Sequence, residues 1–319
     1  MARMGEEESH TLSACCMIRG IRVICGSTHL HLLCFASSSL ESFPQPVIPM
    51  NPIVSDTSTG FVAANPGSKW RTEFERFYRD ACRDYARSCL ALNKKDSSIL
   101  VRIPADGFEM GDGKEANCPK HRVELSEYWM GVYCVTNRQY GKFVAETKHH
   151  APDNSLWQKG ELLDHPVVNV SWEDAAAYAK WAGLSLPTEA QWEKAARGPK
   201  GLIYPWGDEW DQNKCRNDKN KGSGRTAAVW DYPNGTSGYG TMQQAGNVWE
   251  WCADRYDESY YGKSPTKDPT GPNGGSLRVR RGGGWYGVDA SFFRGSIRSW
   301  GDPAVRRDFL GFRLVRNSP

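Results

Sequence analysis

Gly246-Asn247-Val248-Trp249-Glu250-Trp251, then Arg281-Gly282-Gly283-Gly284-Trp285 and Leu310-Gly311-Phe312-Arg313, dominate the last third of this 319-residue chain. Each sets tryptophan or phenylalanine beside glycine and a charged residue, a texture of tight turns between buried aromatic anchors. The same texture runs backwards to residue 96: twelve of the 13 Trp lie beyond residue 93, and the chain carries 32 Gly. Such a composition disfavours a helical bundle. No run of about 18 apolar residues exists to span a bilayer as a helix. Charge is balanced, 40 basic against 37 acidic residues for a net +3, which speaks against wholesale nucleic-acid binding.

Local signals predict short elements. Ile99 to Ile103 and Arg122 to Leu125 read as strands. Thr136 with Gln139 makes a capping box ahead of Tyr140, Phe143 and Val144; Ser171 caps a helix through Trp181 that Gly183 stops; Thr188 with Gln191 caps another that Gly198 stops. Beyond Gly198 only loops and brief strands are expected. Upstream, residues 1–67 read as leader and linker, with Pro44, Pro46, Pro49, Pro52 and Pro66 among Ser, Thr and Asn. The apolar stretch Val23 to Phe35 is interrupted by His29 and His31, a poor signal peptide, so a cytoplasmic location is favoured over export. Between them, Trp70, Phe74, Phe77, Ala81, Tyr85, Cys89 and Leu92 recur at helical spacing after the N-cap Ser68. This predicts an amphipathic helix over 68–95, suited to packing on the main domain or to self-association through 69–93. Residues 96–319 then form that domain. The chain has no CxxC, which speaks against zinc or redox pairs, and its cysteines read as buried free thiols in preference to disulfides.

Further motifs stand in fixed order: Phe108-Glu109-Met110-Gly111, Val135-Thr136-Asn137-Arg138-Gln139-Tyr140, His165-Pro166-Val167-Val168-Asn169-Val170-Ser171-Trp172, Leu186-Pro187-Thr188-Glu189-Ala190-Gln191-Trp192-Glu193 and Tyr204-Pro205-Trp206-Gly207. Together with the three stretches above, the region from Val101 to Arg316 resembles the formylglycine-generating enzyme, or sulfatase-modifying factor, family. The resemblance implies an α+β domain, a variant of the C-type lectin fold with little regular secondary structure. It also implies an activity, the oxidation of a target cysteine to formylglycine by oxygen at copper(I) held between two cysteines. Soft thiolates suit Cu(I). Here those two positions fall on Gly287 and Phe292, and no cysteine follows Cys252. No copper is therefore expected, and the oxidase reading is disfavoured. Structural calcium is the other implied cofactor, with Gln243, Gly246, Val248 and Glu250 as one ligand set and Asn217 and Asp218 in a second. Glu250 has an alternative reading, as the buried partner of an arginine such as Arg313, and Lys221 stands where an acidic ligand would be expected.

From Arg278 to Arg316 nine arginines face three aspartates, a local +6. Arg281, Arg294, Arg298 and Arg313 sit beside Gly, Trp or Phe and read as structural forks. Between them Tyr286, Gly287, Val288, Ser291, Phe292, Ile297, Ser299, Trp300, Arg307, Asp308 and Phe309 show neither helical nor strand period, the mixture of a binding surface for a protein or glycan ligand. This frame also looks like the variable region of target proteins of diversity-generating retroelements, in which template adenines are randomised. Every one of these residues except Trp300 is reachable from an AAC codon; a fixed pocket is the alternative. The glycines of Gly282-x-Gly284-x-x-Gly287 mimic a dinucleotide fingerprint but lack a surrounding βαβ unit.

Overall fold

The computed structural model describes residues 90–153 and 157–318, with the backbone of four short strands before them. The chain divides into two compact units, Met1–Pro49 and Met50–Pro319. In the first, β1 (Ala14–Ile18), β2 (Ile21–Cys25) and β3 (Leu30–His31) pair as an antiparallel meander within the region read as leader and linker.

The second unit is built on two sheets. One is antiparallel, in the order β14-β9-β6-β5-β4, from β4 (Phe61–Val62), β5 (Leu90–Asn93), β6 (Ile99–Ile103), β9 (Tyr128–Gly131) and β14 (Val315–Asn317). Its central strand β6 is buried at Ile99, Leu100, Val101 and Ile103, which explains its continuous apolar run. The predicted amphipathic helix over 68–95 lies outside the described residues for 68–89. Its last turn is corrected: Leu90, Ala91 and Leu92 form a strand against Val101, Leu100 and Ile99. Three consecutive apolar residues fit either period, and here ladder pairing decides.

The second sheet, in the order β12-β11-β10-β13, comprises β10 (Trp249–Arg255), β11 (Arg278–Arg281), β12 (Ser299–Gly301) and β13 (Leu310–Gly311), with β10 and β13 parallel. A hairpin of β7 (Asp106–Met110) and β8 (His121–Leu125) stands beside them. The described residues form three α-helices, α1 (Asn137–Thr147), α2 (Trp172–Ala182) and α3 (Glu189–Arg197), with the predicted N-caps Thr136, Ser171 and Thr188; Gly183 and Gly198 end the last two. After Gly198 they contain 3-10 turns and strands but no further α-helix. An aromatic cluster joins α1 and α2 to the second sheet's end: Tyr178 stacks on Tyr140 at 5.7 Å and meets Phe312 edge-on at 5.4 Å. Trp192 of α3 is fully buried. Cys118, Cys134, Cys215 and Cys252 are buried free thiols, as expected. No helix among the described residues is long and apolar enough to cross a membrane.

Candidate functional site: an open face on an arginine-clamped sheet

Strand register sorts the carboxyl-terminal residues into two environments. Trp251 of β10 pairs with Arg280 of β11, which pairs with Ser299 of β12; one position on, Glu250 pairs with Arg281 and Val279 with Trp300. Paired residues share a face and neighbours alternate. Arg280 and Ser299 therefore stand on one side of the sheet, Arg281 and Trp300 on the other.

The second side is a clamp of buried ion pairs. Arg281 Nη1 donates to Glu189 Oε1 at 3.0 Å, and its Nη2 donates to Glu193 Oε2 at 2.5 Å and to the Gly295 carbonyl at 2.8 Å. Arg298 grips both oxygens of Glu189 at 2.8 and 3.0 Å. Burial works to raise the Glu189 carboxyl, and the Arg298 and Arg281 guanidiniums overcome it, holding it below its ordinary range. Among the described residues Asp254 has no such cation in contact; burial and then the Glu189 charge push it up to about 8. Arg313 forks onto Glu250 at 2.6 and 2.7 Å, while Trp192 Nε1 donates to the same carboxylate at 2.8 Å. Arg294 bridges Asp112 at 2.6 Å and Glu115 at 2.9 Å. All four arginines read as structural forks are paired.

The first side carries most of the predicted binding residues. Trp249 Nε1 donates to the Tyr286 hydroxyl at 2.9 Å, and Tyr286 meets Phe309 edge-on at 4.7 Å. Tyr286, Ile297 and Phe309 are half-buried against the cluster containing Trp249 and Trp251. Ser299 Oγ accepts from Arg280 Nε at 3.0 Å, and Arg307, whose charge acts on Arg280, is exposed. Asp308 pairs with Arg225, and its carbonyl accepts from Trp285 Nε1 at 3.2 Å. In the following loop Gly287 is buried, whereas Val288, Ser291 and Phe292 are exposed, Val288 at 65% and Phe292 at 43%. Trp300 does not join this side. On the opposite side of β12 it stacks on Tyr256 at 4.4 Å. Arg280, Trp249 and Trp285 are the members that sequence reading missed; strand parity was the available signal for Arg280.

Comparison with known proteins fits this architecture. The model of the sulfatase-modifying factor enzyme 1-like domain matches residues 89–318. The chain belongs to this family. It is similar to the formylglycine-generating enzyme of Streptomyces coelicolor, at 36% identity over 282 residues that span 68% of this chain and 89% of that one. It is also similar to the mouse inactive C-alpha-formylglycine-generating enzyme 2, at 30% identity over 72% of this chain and 89% of that one. Among solved structures, Treponema denticola variable protein 1 superposes with a TM-score of 0.59 at 26% identity, over 68% of this chain and 94% of that one.

Within the sulfatase-modifying factor frame, the two positions assigned to copper thiolates are built differently here. A Cβ on Gly287 would stand 2.5 Å from the Phe293 ring, which is itself buried and stacked on Trp210 at 4.9 Å. The Phe292 side chain faces solvent. The calcium sets also have protein partners already. Both Glu250 oxygens are engaged by Arg313 and Trp192; the Gln243 amide donates to the Ala228 and Asp231 carbonyls and accepts from Asn247. Asp218 is paired with Lys221, whose ammonium also lies over the Trp285 ring at 5.1 Å, and Asn217 donates to the Gln212 and Cys215 carbonyls. Gly246 and Val248 could offer only carbonyls, short of the several carboxylate oxygens calcium prefers. These side chains do not fit a calcium ion as they stand, and no group of three or more His, Cys, Asp or Glu among the described residues could hold a metal.

Proposed function

We propose that this sulfatase-modifying factor family member is a non-catalytic ligand-binding protein, its ligand a protein or glycan held on the Tyr286–Phe309 surface. The observation that carries this reading is the closure of position 287: Phe293 fills the space where a side chain would stand, and the chain lacks cysteine from residue 253 onward. Half-buried Tyr286 and Phe309 with exposed Val288, Phe292 and Arg307 supply the aromatic, aliphatic and charged area that recognition uses. The likeness to Treponema denticola variable protein 1 supports a further step, that 286–309 is the diversified segment of a retroelement target protein. A nearby reverse transcriptase and a second copy of the 3′ segment differing at adenines are then expected in the genome; absence of both would remove that step.

The competing reading, an oxidase, is favoured by the similarity to the Streptomyces coelicolor enzyme. Incubation of the purified protein with Cu(I), oxygen and a Cys-x-Pro-x-Arg peptide, followed by mass spectrometry, separates the two. The binding reading predicts an unchanged peptide mass; conversion of the cysteine to formylglycine would overturn it.

A further inference from the structure

Every arginine of the clamp has a carboxylate, and among the described residues Arg280 has none. It lies half-buried on β11 with its guanidinium 5.5 Å from the centre of the Trp249 ring, and Ser299 Oγ takes its Nε–H at 3.0 Å. Among the described residues its two Nη groups have no protein acceptor. Burial makes protonation of Arg280 less favourable than for a free arginine; the Tyr286 hydroxyl opposes this, and the Arg307 guanidinium adds a smaller push in the same direction as burial. Arg307 itself spends one Nη on the Arg306 carbonyl and is otherwise exposed. A partly desolvated cation beside a second cation is a costly arrangement unless an anion completes it.

We infer that Arg280 and Arg307, with the Tyr286 hydroxyl, bind a carboxylate of the ligand on this face. The inference deepens the binding-protein reading and rests on it. The open Nη edge of Arg280 offers two parallel N–H bonds, the pattern that matches a planar carboxylate. Trp249 supports the guanidinium, and the Tyr286–Phe309 pair walls the place where the rest of the ligand would lie. Asp308 offers no internal substitute, because Arg225 holds it. Trp300, on the other side of β12, takes no part.

The test uses the full chain labelled with 15N-arginine and titrated with sodium acetate, with chloride replaced to keep ionic strength constant. Saturable shifts of the Arg280 and Arg307 Nε resonances are expected, and none at Arg225. Arg280→Gln should weaken the binding reported by Arg307 by about tenfold or more, since it removes both charged hydrogen bonds to the ligand. Arg307→Gln, a change at an exposed residue that leaves folding intact, should weaken the binding reported by Arg280 by a smaller factor. Linear, unsaturable shifts, or binding undiminished in Arg280→Gln with a normal melting profile, would overturn the site. Tighter binding of inorganic phosphate than of acetate would overturn the carboxylate assignment. Formylglycine production by the protein would sink the binding-protein reading without altering any of these resonances.

Discussion

Arg280 and Arg281 are adjacent on one strand, yet Arg281 is sealed between Glu189 and Glu193 and Arg280 lies half-open on an aromatic ring. The difference extends to whole regions. On the clamp side, arginine forks substitute for the long ladders and helix bundles this fold lacks, satisfying carbonyls and carboxylates contributed by distant segments. On the binding side, charge and aromatic area remain uncommitted. One residue type is thus sealed inside the scaffold or left half-open at the surface according to strand parity alone.

The comparison is broken most severely by leaving a clamp charge alone. Glu250→Gln should cost about 3–5 kcal/mol in urea unfolding, because Arg313 is then buried without its counter-ion; the double change Glu250→Leu with Arg313→Met should cost much less. A loss below about 1 kcal/mol for the single variant would show that the clamp does not hold the fold. Gly287→Cys is expected to destabilise by about 1–3 kcal/mol through overlap with Phe293, and to yield no formylglycine even when combined with Phe292→Cys. Asp254 makes a pH-dependent contribution. Its carboxyl is raised to about 8, so the folded chain keeps a proton that the unfolded chain loses near pH 4. That contribution is complete below about pH 4, falls as pH rises and is gone above about 8. The stability of Asp254→Asn relative to the wild type should therefore improve between pH 5.5 and 8.5, read from urea midpoints; a constant difference would contradict the buried neutral acid. On the binding side, Val288→Ala and Phe292→Ala should each stay within about 0.5 kcal/mol of the parent. Smallest of all, millimolar calcium or a chelator should leave the melting temperature where it is, since Arg313 and Lys221 already neutralise Glu250 and Asp218.

Much of the fold is legible where its determinants are local. Thr136 with Gln139, Ser171 with Gly183 and Thr188 with Gln191 announce three helices because caps act within one turn; at Ser171 the box is completed by Asp174. β10 gives no such signal. Trp249, Glu250, Trp251 and Cys252 are all buried, so no alternation marks it as a strand. Leu90 to Asn93 are hidden differently, continuing a helical spacing into a strand. At the site, the mixed chemistry of Tyr286, Ser299, Arg307 and Phe309 marks a surface without any structure. Arg280 could not be told from Arg281, because the deciding carboxylates lie 92 and 88 residues away. Trp300 reads together with Ser299 because a three-residue strand is too short to reveal that the two diverge.

The 286–309 segment is fastened at three places by main-chain bonds: β11 before it, β12 within it and β13 after it. Such bonds are indifferent to side-chain identity. The segment can therefore be respelled extensively while its anchors persist, but its length is fixed. One extra residue ahead of β12 would turn the side chain at 299 away from Arg280 and bring its neighbour round, exchanging the two faces of the sheet at a stroke. Under the proposed binding role, substitution alone can vary what this surface recognises; insertion would take it apart.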